Sequence, residues 1–363
     1  MLLLRTTRKK PVTLQNLLLT IFVLAICSTH AQAQFDTVIN LPEDLANQNP
    51  TGFSGDSIGE NIEISSNTQL NVSGDGSVGN SFRAGAPDGS STNIEVNASG
   101  STIGQNFNVN GGSTFNISGQ AVVDSFSASD GSTVNISGGL IGPFRPSQSS
   151  GSTVNISGGA LASDFQANNG STVNISGGAV GLFFGANDST VNISGGIISF
   201  GFQANSGSTV DITGGTFGDE FDANSGSTVN ISGGTFGDGF EANNGSTVNI
   251  SGGTFGDDFL INTGTEVNIF ATELFLNSDP LDFLTLDQAT SVEGGGVLSG
   301  LLADGTSFEF DLNDGFDSTL RITRVAGVPE PGSGLILAIT SILWLSRRRK
   351  KVYARSLSSF QTA

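Results

Sequence analysis

GSTVNISGGTFGDGFEANN, residues Gly226 to Asn244, is a 19-residue sentence that most of the chain repeats with variations. The central residue of its Val-Asn-Ile triplet recurs at Asn97, Asn116, Asn135, Asn155, Asn174, Asn192, Asp211, Asn230, Asn249 and Asn268, at intervals of 19, 19, 20, 19, 18, 19, 19, 19 and 19. An earlier copy sits at Asn71, with a longer segment before the next. A second column holds Phe82, Phe107, Phe126, Phe144, Phe165, Phe184, Phe202, Phe221, Phe240 and Phe259. A third, four residues before most of these, holds Ile103, Val122, Leu161, Val180, Ile198, Phe217, Phe236 and Phe255. Three columns sharing one period near 20 residues mark a solenoid, in which each repeat is one coil that cannot bury its apolar face alone.

Within each repeat the pattern is that of strands. In Thr228-Val229-Asn230-Ile231-Ser232 apolar and polar residues alternate, and Phe240-Glu241-Ala242 alternates in the same sense. Gly233-Gly234 and Asn243-Asn244-Gly245-Ser246 supply positive φ at little steric cost and read as corners. There is no helical period here, and 19 residues leave no room for a crossover helix. The expectation is an all-β, right-handed parallel β-solenoid of about eleven coils, each rising roughly 4.8 Å, thus on the order of 50 Å long. Val229, Ile231, Phe240 and Ala242 should face the core and Asn230 should face out, with Phe221, Phe240 and Phe259 in one stack.

The ends read differently. Residues 1–33 have the form of a signal peptide: a basic start (Arg5, Arg8, Lys9, Lys10), an apolar run from Leu14 to Ile26, and a small-x-small site at Ala31-Gln32-Ala33. Residues 34–57, with Pro42 and Pro50, lack the repeat and read as an N-terminal cap over the first strand edge. Repeats then occupy 58–269, with Ala84 to Ser91 as a projecting loop and Pro143 to Pro146 as an irregularity. Residues 270–327 read as a capping β region with a hairpin, Val297–Leu302 and Thr306–Leu312 around Ala303-Asp304-Gly305, and a last strand from Leu320 to Val325. A small β-sandwich against the final coil is one form such a cap could take.

Charge sharpens the picture. Between Gln34 and Glu330 lie all 33 acidic residues but only four basic ones, Arg83, Arg145, Arg321 and Arg324, a formal charge of −29. Such a body is soluble and avoids nucleic acid and anionic membranes. The single Cys (Cys27) and the single His (His30) both lie in the leader, so no disulfide is expected in the body and stability falls to the stacked core.

At the other end, Val328-Pro329-Glu330-Pro331 is followed by an apolar stretch, Gly334 to Leu345, and then by Arg347-Arg348-Arg349-Lys350-Lys351. This tail, residues 328–351, resembles a PEP-CTERM sorting signal, with Pro329, Glu330 and Pro331 as the motif and Arg347, Arg348 and Arg349 in the basic stop; residues 352–363 form a short extension. The resemblance implies a short membrane-spanning helix, recognition by an exosortase-type membrane transpeptidase, and passage to the surface of a Gram-negative bacterium. The apolar stretch is short against the ~20 residues of a spanning helix. An ordinary membrane anchor with a basic cytoplasmic flank gives the same topology and differs only in cleavage.

Chemistry is scarce. The body has no Cys, His or Lys, which excludes Ser-His-Asp and Cys-His sites and thiolate or imidazole zinc sites. Carboxylate-only cleavage of a polysaccharide stays open, because two acids can flank a glycosidic bond. Asn-Ile-Ser recurs as a formal glycosylation site, but glycans ~4.8 Å apart on every coil would clash. Gly-Gly-Thr-Phe-Gly-Asp does not fit the calcium nonapeptide, since Gly237 falls one place late. Asp219, Asp238 and Asp257 share one corner position and should form a column ~4.8 Å apart, with Ca²⁺ as one way of relieving its repulsion; solvation alone is the other. The expected function is non-enzymatic: an exported structural or adhesive protein of the cell surface or extracellular matrix. The alternative is a module whose Thr-Asn-Ser face binds extracellular polysaccharide or, behind it, ice.

Overall fold

The computed structural model describes residues 35–41, 53–54, 57–58, 62–88, 90–129, 131–142, 151–262, 264–281, 285–292, 296–312 and 319–326. The expected leader (1–33), the sorting tail (328–351), the extension (352–363) and the irregularity at Pro143 to Pro146 lie outside the described residues. No helix among the described residues is long and apolar enough to cross a membrane.

The chain winds into a parallel β-solenoid of about ten turns with ~19-residue coils, one fewer than the eleven expected. Each coil begins with the Thr-Val-Asn-Ile strand, and like residues pair on like: Thr228 with Thr247, Val229 with Val248, Asn230 with Asn249, Ile231 with Ile250. The coil bends at Gly-Gly, continues into a short strand such as Thr216–Phe217, turns a corner, and runs through a third strand such as Glu241–Ala242. The third strands form ladders of their own: Gln166–Asn168, Gly185–Asn187, Gln203–Ala204, Asp222–Ala223, Glu241–Ala242 and Leu260–Ile261 in one, with Glu63–Ile64, Arg83–Ala84, Phe107–Val109 and Phe126–Ala128 in another.

Alternation decides what goes inside. Val229, Ile231, Phe240 and Ala242 are buried while Asn230 is only half-covered. Phe221 and Phe240 stack at 4.7 Å and 5°, and Phe240 and Phe259 at 4.9 Å and 7°. A second stack, Phe217 on Phe236 on Phe255, meets the first edge to face, with Phe236 and Phe240 at 5.7 Å and 82°. Both geometries are favoured by the ring quadrupole, so the 19-residue repeat fixes the electrostatics of the core as well as its volume. The Gly-Gly bend is a matter of backbone approach: Gly234 sits at φ +104, and a Cβ on Gly233 would stand 2.6 Å from the carbonyl oxygen of Thr213 in the coil before.

Both ends differ from the reading by sequence. Thr37–Leu41 falls in the segment expected to be a cap, yet it is already a parallel rung, pairing Thr37 with Thr68 through Leu41 with Val72. Backbone pairing needs only the alternation of Thr-Val-Ile-Asn-Leu, which precedes any recognisable 19-residue copy. The loop near Ala84 to Ser91 is accommodated at a corner: Asn71 pairs with Asn97 across 26 residues, and the Ser91 hydroxyl accepts from the Ala86 amide at 2.9 Å.

At the other end no separate sandwich forms among the described residues. Glu266–Leu276 starts as a coil strand and runs on to pair antiparallel with Gly296–Leu302, which forms the expected hairpin with Ser307–Leu312. Thr319–Arg324 then lies parallel on Glu266–Ala271 as the last rung, followed by antiparallel Ala289–Val292. The hairpin closes the core, since Phe310 stacks on Phe259 at 4.0 Å. Its turn is stitched to the coil below, with Asp304 Oδ2 accepting from the Gly253 amide and the Thr306 hydroxyl donating to the Gly253 carbonyl, both at 3.0 Å.

Candidate functional site

Two surfaces carry repeated polar chemistry. The first is the outer face of the Thr-x-Asn-x-Ser strand. Alternation points the Thr, Asn and Ser of each coil outward. Parallel register then stacks each type on its own kind. Asn116 donates to Asn97, Asn135 to Asn116, Asn155 to Asn135 and Asn174 to Asn155, all at 2.7–2.8 Å, so the amides form one polarised chain along the rod. Asp211 interrupts it: the carboxylate accepts from Asn230 at 2.6 Å but has no proton to pass on. The serines are committed too. Ser137 donates to the Ile117 carbonyl, Ser232 to Ile212 and Ser251 to Ile231, at 3.2–3.3 Å.

That leaves the threonines. Thr209, Thr228 and Thr247 are half-buried, in register, and make no side-chain hydrogen bond among the described residues. Of the array expected to meet a ligand, the Asn column therefore spends a donor and an acceptor, and the Ser column its donor, on holding coil to coil, and the Thr hydroxyls keep theirs. Sequence alone could not separate the three, because all of them alternate identically.

The second surface is an acidic cleft of about 840 Å³ between the third strands of the last coils and the capping hairpin. Its carboxylates are Glu220, Asp222, Glu241, Asp257 and Asp258 from the coils, with Glu309 and Asp311 from the hairpin. Asp222 lies directly opposite Glu241 in the ladder. Burial first, and then the charges of Glu241 and Glu220, raise its pKa above the ordinary Asp value, while a hydrogen bond from Gln203 pulls the other way. Repetition foretold the coil acids. Glu309 and Asp311 arrive from a distant segment, and the one sign of them is the alternation Ser-Phe-Glu-Phe-Asp-Leu, which puts acids on the outer face.

The three aspartates singled out by spacing are in one column, as their common repeat position requires, but only Asp257 lines the cleft. Asp219 accepts the amide of Asp238 at 3.0 Å and Asp238 that of Asp257 at 2.9 Å. The Asp219 and Asp238 carboxylates lie over the glycine of the next coil, where a Cβ on Gly237 or Gly256 would collide with them. The column thus serves as a backbone clasp. Among the described residues no group of three or more His, Cys, Asp or Glu is placed to hold a metal ion. The motif residues Pro329, Glu330, Pro331, Arg347, Arg348 and Arg349 lie outside the described residues.

No protein-family model, curated protein or solved structure matches this chain.

Proposed function

We propose that the chain is an exported structural or adhesive rod, held at the bacterial envelope or released into the matrix around the cell. One observation carries the reading: the Asn, Ser and Asp columns are spent on the rod itself. The Asn chain, the Ser-to-carbonyl bonds and the Asp clasps all run from coil to coil. The address comes from the leader and from the tail that resembles a PEP-CTERM signal, with an exosortase-type enzyme as the processing partner. The test is localisation in the producing cell of the full chain and of a chain lacking residues 328–363. Surface or matrix recovery that depends on the tail supports the proposal, and an intact N-terminus recovered from the cytosol overturns it.

A second reading is favoured by the Thr column, whose unspent hydroxyls in regular array suit a repeating polysaccharide or the surface of ice. Changing Thr209, Thr228 and Thr247 together to Lys should abolish retention on an immobilised glycan, or ice affinity, if that face binds, and should leave cell-surface display intact if the rod is purely structural. A carboxylate-only glycan hydrolase is the remaining option. It predicts reducing ends released from polysaccharide by the purified protein and lost in Asp222→Asn.

A further inference from the structure

We propose that two copies of the rod associate side by side, antiparallel, through an apolar stripe on its middle coils. The stripe is the outward position of the short strand after the Gly-Gly bend. Val122 pairs with Leu140, Leu140 with Ala160, Ala160 with Ala179 and Ala179 with Ile197, giving five residues in one column. Leu140 is 61% exposed, Ile197 57% and Val122 42%, large apolar side chains in water on a face where alternation calls for polar ones. In the last coils the same column is Thr216, Thr235 and Thr254, so the fold does not require apolar residues there. Glycine pairs such as Gly158-Gly159 and Gly177-Gly178 border the stripe and keep it smooth.

A second group lies within three residues along the same coils. Leu182 and Phe183 are 42% and 48% exposed, and Phe200 packs edge to face on Phe183. Phe183 sits at φ 59, at a corner position that Asp164 and Gly201 hold in the coils on either side. Left-handed φ is costly for a bulky residue, and packing on Phe200 and over Gly201 holds the ring there, half-exposed.

Charge selects the occupant. Residues 131–205 hold two acids, Asp164 and Asp188, and one base, Arg145, whereas residues 206–273 hold ten acids and no base. In a body this acidic, the middle coils are the longest stretch where a second copy can approach with few carboxylates facing carboxylates. The same asymmetry sets direction. A parallel pair would lay ten acids against ten. An antiparallel pair lays them against residues 62–130, which hold six acids and Arg83. A twofold axis through the stripe is the closed arrangement that does this. The five residues span about 19 Å, so the apolar centre is narrow, which places the pair among weak, transient associations.

The test is sedimentation velocity of the full chain up to about 100 μM, where a dimer of micromolar Kd is well populated. Leu140→Thr with Ile197→Thr, which writes the residue of the last coils into the stripe, should raise Kd tenfold or more while the circular-dichroism melt stays unchanged. In a Cys27→Ser background, Leu140→Cys mixed with Ala179→Cys should form a disulfide heterodimer, because an axis through Ala160 brings those positions together. A wild type that stays monomeric, a mass that the double Thr variant leaves unchanged, or Leu140→Cys linking to itself as well as to Ala179→Cys would each overturn the proposal.

Discussion

At the scale of the residue, the serine before each Thr-Val-Asn strand shows how much one rotamer matters. Ser227 and Ser246 are buried and donate to the Asn224 and Asn243 carbonyls at 2.6 Å. Ser132, Ser152, Ser171 and Ser189 occupy the same repeat position, are as deeply buried, and have hydroxyls without a partner among the described residues. A buried hydroxyl left unpaired costs about 1–3 kcal/mol, whereas one that is bonded contributes about 1. Ser171→Ala should therefore raise the stability of the rod by about 0.5–1 kcal/mol, and Ser227→Ala should lower it by about the same. Thermal melts of the two single variants check this. Equal destabilisation by both would mean that the Ser171 hydroxyl has a partner after all.

At the scale of the element, the third strand sets like charges opposite each other. The Asp222 pKa is raised, so its neutral form is favoured by folding. The stabilisation from protonating it is complete below the ordinary carboxylate range and is lost as pH rises through its raised value; at neutral pH the ionised group is a cost. Asp222→Asn keeps an oxygen for Gln203 and removes the charge facing Glu241. It should stabilise the protein at pH 7 by about 0.2–1 kcal/mol, with the gain shrinking toward acid pH. A gain independent of pH would trace to packing instead. The Asp clasp makes a parallel case. Asn keeps the oxygen that accepts the next amide, so Asp219→Asn, Asp238→Asn and Asp257→Asn combined should raise the melting temperature without calcium. A rise in millimolar Ca²⁺ that vanishes in this variant is the result that would assign the column a cation.

At the scale of the whole molecule, a stack of coils is nearly one-dimensional, and each coil is stabilised by its two neighbours. Its ends are then its weak points. The Phe stack is closed by Phe310, which lies on Phe259 and meets Phe255 edge to face at 5.4 Å. Phe310→Ala should cost about 3–5 kcal/mol at that end. Amide exchange should speed up first in residues 247–276 and only later in the middle coils. Uniform acceleration along the rod would mean that it unfolds as a single unit.

Much of this was legible in the chain itself. Parallel, in-register stacking of identical coils makes every local choice repeat, so a period of ~19 residues with period-two alternation already dictates the fold, the outward Asn column and the paired Phe stacks. What falls outside the period needed the tertiary structure. Thr37–Leu41 joins the ladder through backbone bonds that leave little trace in composition. Thr319–Arg324 returns to lie on Glu266–Ala271, and the hairpin brings Glu309 and Asp311 to the acidic cleft, across distances in sequence that no local pattern encodes. Which outward column stays free is likewise a tertiary result. Thr, Asn and Ser alternate alike, and only the bonds made between coils show that Asn249 and Ser251 find partners there while, among the described residues, Thr209, Thr228 and Thr247 do not.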